Sequence, residues 1–310
     1  MSFFQQTIKE PITIAGIGLH TNERVKIKIR PASSNAGIRF LRTDLDNQHA
    51  IPARTDYVVD TRFSTTVGIN GSSISTIEHI MAAFSGMGVD NALVEIDGPE
   101  VPSLDGSAYP FAVKIRQAGL VVQKEPRRFI EIIEPVSVGT EDKGITISPA
   151  RHFRVDMSIH FDHPLIQGQQ FGGKINSKIF FNKISRARTF GFLKEVEWLQ
   201  KNGFARGGSL ENAVVLGDTA LLNKEGLRFP DEFVRHKVLD LIGDLYLLGG
   251  HILGEIIAYK SGHEVHHLLS KKLQEQPSSW RLRDRSHGSS LPLWPLEGGN
   301  ESVTLPAASC

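Results

Sequence analysis

Apolar residues recur at helical spacing in two separated stretches of the chain. Over residues 233–248, Phe233, Val238, Leu241, Ile242, Leu245 and Leu248 form one stripe, which predicts an amphipathic helix. Over residues 75–86, Ile77, Ile80, Met81 and Phe84 do the same. There Ser75 and Glu78 have the spacing of a capping box, and Gly86 is a natural stop. Each helix leads into a compact apolar run, 92–96 in one case and 252–258 in the other, which reads as a strand. Upstream, 11–14 and 135–138 match as first strands, and a glycine follows each helix's histidine by the same interval, Gly86 after His79 and Gly243 after His236. The pattern predicts an α+β fold of two topologically similar α/β-sandwich domains, each a small sheet packed on helices, with the site in the cleft between them. A helix over 108–118 and a charged, proline-bearing link at 123–128 divide a domain over 1–123 from one over 128–274, which opens with a strand at 129–133. Beyond Gln274 periodicity is lost and Pro, Gly and Ser accumulate, so 275–310 is expected to be a disordered tail.

Polar residues interrupt both apolar patterns at chemically informative places. His236, Asp240 and Asp244 fall at i, i+4 and i+8 and so share one helix face. Imidazole with carboxylate is ligand chemistry for zinc and for non-haem iron. A solvated charged face, offset by Arg235 and Lys237, is the competing reading. In the other helix, His79 suits a third ligand and Glu78 a base that takes a proton from water. The plainer account makes Glu78 a cap and His79 a partly buried histidine satisfied by a carbonyl. No His-Glu-x-x-His run occurs, which argues against a zinc peptidase of that class. His263 follows a strand-like run and a glycine turn; taken alone it reads as a surface histidine near His266 and His267. Beside a metal site it becomes a candidate acid, oriented and charged by Asp244.

Bulk properties narrow the class. The 310 residues suit two domains, and 35 basic against 34 acidic residues argue against a general nucleic-acid binder. The single cysteine, Cys310, excludes an intrachain disulfide and a multi-thiolate metal site, which fits a reducing cytoplasm. Neither a signal-peptide pattern nor a membrane-length apolar run is present, so any lipid-handling role is that of a soluble or peripheral protein. The chain is expected to act as a monomer. One segment, 189–216, is longer than a simple connection needs. It carries Leu193, Val196 and Leu199 at helical spacing and then a glycine-rich apolar run, and reads either as the lining of an apolar ligand channel or as an ordinary helix on the sheet.

Five motifs together carry a family resemblance: Ser75-Thr-Ile-Glu-His79, Val101-Pro-Ser-Leu-Asp-Gly-Ser107, Ser185-Arg-Ala-Arg-Thr-Phe-Gly191, Arg228-Phe-Pro-Asp-Glu-Phe-Val-Arg-His-Lys237 and Tyr259-Lys-Ser-Gly-His263. Over about residues 3–273 the chain resembles the UDP-3-O-acyl-N-acetylglucosamine deacetylases, zinc enzymes of the committed step of lipid A synthesis in Gram-negative bacteria. The resemblance implies Zn²⁺ on His79, His236 and Asp240, Glu78 as general base, His263 with Asp244 as acid, and Thr189 as donor to the oxyanion. It implies substrate contact by Lys237, and an acyl passage lined by Phe190, Phe192, Leu193, Val196, Leu199, Gly208, Ser209, Ala213 and Val215. Phe161, Asp162 and Lys260 would lie near the uridine diphosphate. Two rivals share parts of this pattern. A non-haem Fe(II) oxygenase also uses two histidines and a carboxylate, but has no need of a base beside a ligand. A non-catalytic sugar-nucleotide or lipid-binding protein with a structural metal would ordinarily close its ion with four protein ligands.

Overall fold

The computed structural model describes residues 2–46 and 49–284. Six α-helices are described: α1 (Glu78–Met87), α2 (Tyr109–Ala118), α3 (Ser177–Ile179), α4 (Leu193–Lys201), α5 (Glu232–Tyr246) and α6 (His263–Glu275). They accompany two main sheets. In the first, Ile12–Ile17, Arg24–Pro31, Ala92–Ile96, Ile38–Arg42 and Ile51–Pro52 are neighbours in that order. Its strands alternate: Val25, Ile27 and Ile29 point inward between exposed residues, the period of two that a sheet with one buried face requires.

The second sheet repeats this arrangement. Val136–Gly139 and Gly144–Pro149 form an antiparallel hairpin, and His251–Tyr259 pairs antiparallel with the second hairpin strand and parallel with Arg154–Ile159. In the first sheet the hairpin Ile12–Ile17 and Arg24–Pro31 stands in the same relation to Ala92–Ile96 and Ile38–Arg42. α1 and α5 each precede the central strand of their sheet, and α2 and α6 each follow it. The fold is thus α+β with two topologically similar halves, as the pattern of the sequence predicts.

α1 packs along α5. A side chain at Gly243 would overlap the carbonyl of Glu78, so a glycine there lets the two backbones meet. Between the two halves α5 has no solvent face: of its fifteen residues only Arg235 and Lys237 are not buried. Beyond the apolar stripe expected at 233–248, the polar face carrying His236, Asp240 and Asp244 is buried as well.

Four local expectations are corrected. The capping box does not form: Ser75 Oγ donates to Pro99 O, and Glu78 accepts instead from the Thr65 backbone N–H at 3.0 Å. The helix stop is Gly88, in the left-handed conformation at φ +82°, while Gly86 stays inside the helix under the ring of Phe180. The charged stretch at 123–128 is no free link. Leu120–Pro126 pairs antiparallel with Phe4–Ile8, and Arg127 is 1% exposed, its guanidinium on Asp90, Gln6 and the Gly88 carbonyl. That pairing neutralises a charge which would otherwise be costly to bury. Past Gln274 the chain also stays ordered for a time. α6 ends at Glu275 and Trp280–Asp284 adds an antiparallel edge strand to Arg128–Ile132, with Leu282 buried and the Trp280 indole donating to Leu273 O. The expected disordered tail from 285 onward lies outside the described residues.

Candidate metal and catalytic centre

His79 stands in the first turn of α1, and His236 and Asp240 lie one turn apart on α5, so the packing of the two helices brings all three together. Their potential ligand atoms lie within 4.8 Å of one another, and all three residues are buried. His236 Nδ1 donates to Ala187 O at 3.1 Å, which leaves Nε2 unprotonated and facing Asp240 Oδ1 at 3.3 Å. Burial holds the His236 pKa down at about 3, against the pull of Asp240, so no second ring proton is available. Asp240 Oδ1 has no hydrogen-bond donor although it is buried. An imidazole lone pair aimed at an orphan carboxylate oxygen is unfavourable without a cation between them. The donor set therefore fits a divalent metal ion, and two imidazoles with one carboxylate leave a coordination position open.

Glu78, beside His79, is 4% exposed. Burial pushes its carboxyl up from the usual 4.5, opposed by the positive charge of His263 and His79. A carboxylate tuned upward suits a general base working near neutral pH. His263 opens α6 and faces the same cleft. Although burial opposes its charge, Asp244 and Glu78 raise its pKa to about 9. Asp244 makes the connection: its Oδ2 accepts from His263 Nδ1 at 2.8 Å and from His266 Nδ1 at 2.7 Å, and its Oδ1 accepts from Thr65 Oγ1 at 2.6 Å. Asp244, His263 and His266 also bring potential ligand atoms together, but these hydrogen bonds already occupy the carboxylate. The surface reading of His263 gives way to a charged, largely enclosed histidine. Sequence reasoning missed His266 and Thr65. His266 was findable, three residues after His263 on the same helix face; nothing in the sequence marks Thr65.

A family model described as UDP-3-O-acyl N-acetylglycosamine deacetylase matches residues 5–275. The chain belongs to this deacetylase family. A relative named UDP-3-O-acyl-N-acetylglucosamine deacetylase from Myxococcus xanthus (strain DK1622) is 50% identical over 281 residues, 91% of this chain and 90% of the relative. Relatives of the same name from Syntrophotalea carbinolica and Citrifermentans bemidjiense are each 47% identical, covering 92% and 90% of this chain and 94% and 92% of their own lengths.

Three of the motifs that mark this deacetylase-family chain act by clamping the segment beside His236. The buried Arg188 guanidinium pairs with Glu232 at 2.9 Å and Glu225 at 2.7 Å, and Arg228 bridges Asp105 at 2.8 Å and the Arg186 carbonyl at 3.0 Å. This fixes Ala187 over His236 and ties Thr189 N–H to Gly106 O at 2.8 Å. Lys237 lies three residues before Asp240 and donates to its Oδ2 at 3.1 Å, so it helps to hold the charge of that carboxylate.

Phe190 starts an aromatic path away from His236. Its ring meets His236, Phe233 and Phe161, and Phe161 meets Phe192 at 5.6 Å. Phe190–Phe192 pairs in parallel with Val214–Leu216, which puts Val215 beside Gly191. α4 then buries none of its residues: Val196 and Leu199 are half-buried, and Leu193 is 48% exposed. An ordinary sheet-covering helix would bury one face. Gly208 and Ser209 lie in the turns that follow, and Ala213 is held by its N–H to Ser209 O at 3.0 Å. Phe161, Asp162 and Lys260 follow the C-terminal ends of two parallel strands in register, Ser158 against Tyr259. Asp162 is exposed, and Lys260 Nζ lies 5.1 Å over the Tyr259 ring.

Proposed function

We propose that this chain is a zinc-dependent amidohydrolase of the cytoplasm of a Gram-negative bacterium. It removes the N-acetyl group of UDP-3-O-(3-hydroxyacyl)-N-acetylglucosamine, releasing acetate and the UDP-3-O-acyl-glucosamine, the committed step of lipid A biosynthesis. The observation that carries this reading is the orphan Asp240 oxygen facing two imidazoles beside a buried glutamate. Family membership and the relatives' names support the substrate.

His79, His236 and Asp240 hold the ion. When bound, Zn²⁺ supplies Lewis-acid polarisation of the acetamide carbonyl and lowers the pKa of water from about 15.7 to about 7. Glu78 takes a proton as the water oxygen forms its bond to the carbonyl carbon. The Thr189 hydroxyl donates to the oxygen on which negative charge develops. Protonated His263, kept charged by Asp244, delivers its proton to the nitrogen, which otherwise leaves poorly; the C–N bond then breaks. The half-buried aromatic and aliphatic residues of 189–216 take the acyl chain, Lys237 contacts the substrate, and Phe161, Asp162 and Lys260 lie near the uridine diphosphate. The protein works as a monomer without nucleic acid, and any membrane contact is peripheral; no described helix is long and apolar enough to cross a membrane.

Acetate release from the acylated UDP-sugar tests the reading directly. A strong chelator should abolish it and stoichiometric Zn²⁺ restore it. Full turnover in a preparation shown to be metal-free, or no acetate from the zinc-loaded protein, discards the reading. Oxygen consumption with Fe²⁺ in place of hydrolysis would turn the same ligands into an oxygenase site.

A further inference from the structure

Asp244 serves two imidazoles with one oxygen. His263 Nδ1 and His266 Nδ1 both approach its Oδ2, at 2.8 and 2.7 Å, while Thr65 Oγ1 takes Oδ1 at 2.6 Å. Carboxylate oxygens only accept, so both rings present a proton to Oδ2. His266 Nε2 lies 3.0 Å from Ser261 Oγ, and the hydroxyl can satisfy it as donor; the ring then needs only its Nδ1 proton. His266 is 0% exposed, and burial holds its pKa below the usual 6.5. It therefore gives Asp244 a donor without a charge.

We propose that His266 is a positioning residue for the deacetylation: it takes up part of the Asp244 acceptor capacity and fixes the carboxylate rotamer, which sets how firmly His263 holds the proton it must give away. The inference rests on the acid role proposed for His263. An aspartate in a low-dielectric cleft that faced His263 alone would bind its proton too tightly for prompt transfer. A second donor on the same oxygen weakens that hold, and Thr65 on the other oxygen stops the carboxylate from rotating. The remaining charged and titratable groups facing His263 are Glu78 and His79 from α1, Asp240 from α5 and His20 from the first hairpin. None of these touches Asp244 Oδ2.

The test compares zinc-loaded His266→Phe and His266→Asn with the parent protein, following acetate release across pH. Phenylalanine keeps the ring's bulk and loses the donor. In that variant kcat should fall about threefold to tenfold on the plateau, KM should stay, and the alkaline limb should move up by about half to one unit, the effect of one lost neutral hydrogen bond on a pKa. Asparagine carries an amide nitrogen at the distance of Nδ1 along the side chain and should restore both the rate and the limb. A purely structural His266 predicts a lower melting temperature with an unmoved pH profile, and that result overturns the inference. Nitrogen-15 histidine NMR on the unaltered zinc protein covers the case in which His266→Phe does not fold. A neutral, Nδ1-protonated His266 from pH 6 to 9 is expected; a charged or Nε2-protonated ring refutes the proposal. A parent protein that releases no acetate instead refutes the function itself, so the two failures are distinguishable.

Discussion

In the first half, the connection from Ile38–Arg42 to α1 is built mainly of a small three-stranded sheet, Val58–Asp60, Thr66–Ile69 and Ser72–Ile74. In the second half, the connection from Arg154–Ile159 to α5 runs through residues 160–231 and contains the exposed α4. The shared scaffold positions one helix per half at the same point before the central strand. The insertions decide what each helix does. The compact one delivers Thr65, whose N–H holds Glu78 and whose hydroxyl holds Asp244. The long one delivers Ala187 to His236 and then opens into half-buried aromatic residues. Rigid chemistry is thus supplied by the short insertion and adaptable apolar contact by the long one.

The sharpest difference between the two helices is Glu78, which has no charged counterpart aimed at the cleft from Arg235, the residue before His236. Glu78→Gln should cost roughly 10²–10⁴-fold in turnover, the scale of a positioned general base. Its amide oxygen can still accept from Thr65 N–H, so zinc content and melting temperature should change little. Near-normal turnover with intact zinc would return Glu78 to a merely structural role.

The paired glycines separate the halves next. A Cβ at Gly243 meets the backbone of Glu78 itself, whereas one at Gly86 meets the ring of Phe180. Gly243→Ala should therefore shift the base and lower turnover by about 10²-fold, since a displacement on the order of 1 Å has that cost. Gly86→Ala should lose about 1–3 kcal/mol of stability by overpacking and keep most of its kcat. Equal kinetic losses in both variants would show that the two contacts do the same job.

The duplicated core was legible because it rests on local periodicity: both helices and both central strands follow from apolar spacing, and His79 and His236 stand out as polar residues on those helices. What the sequence did not reveal depends on long-range partners. Glu78 and Ser75 fit a capping box by spacing alone, but a backbone N–H from Thr65, thirteen residues upstream, outcompetes it. Arg127 looked like linker charge because Asp90, its neutralising partner, lies 37 positions away. The strand Trp280–Asp284 was unreadable because Trp, Arg, Leu, Arg and Asp alternate over too few residues, and its edge position needs only one buried leucine.

The charges of the centre give the next smaller effect, a pH dependence with a determined sign. The base must be ionised, so activity should fall as pH drops toward a Glu78 pKa lying above the ordinary 4.5. The acid must be protonated, so activity should fall again as pH rises toward the His263 value of about 9. A bound dication lowers both limits. Each limb should change rate about tenfold per unit of pH. Stability of the metal-free protein follows the same histidine: its raised pKa contributes stability that is complete below 6.5 and lost as pH rises through about 9. His263→Gln should flatten that decline in melting temperature and remove the alkaline limb. A limb that persists in the variant assigns it to another group.

The long insertion yields the smallest effect and the most selective one. Ala213 is half-buried between Ser209 and the strand Val214–Leu216, on the segment paired to Phe190–Phe192. Ala213→Phe should fill acyl space without touching Glu78, His263 or the ligands. Each buried CH₂ contributes about 0.8 kcal/mol, so excluding a few methylenes should weaken long-chain substrates by about tenfold or more. Short-chain or unacylated UDP-N-acetylglucosamine should be almost unaffected, because its nucleotide and acetamide contacts lie elsewhere. KM against chain length is the measurement: a loss that grows with length assigns the segment to the lipid. An equal loss for every substrate would mean that the long insertion supports the catalytic centre as the short one does, and the division of labour between the halves would collapse.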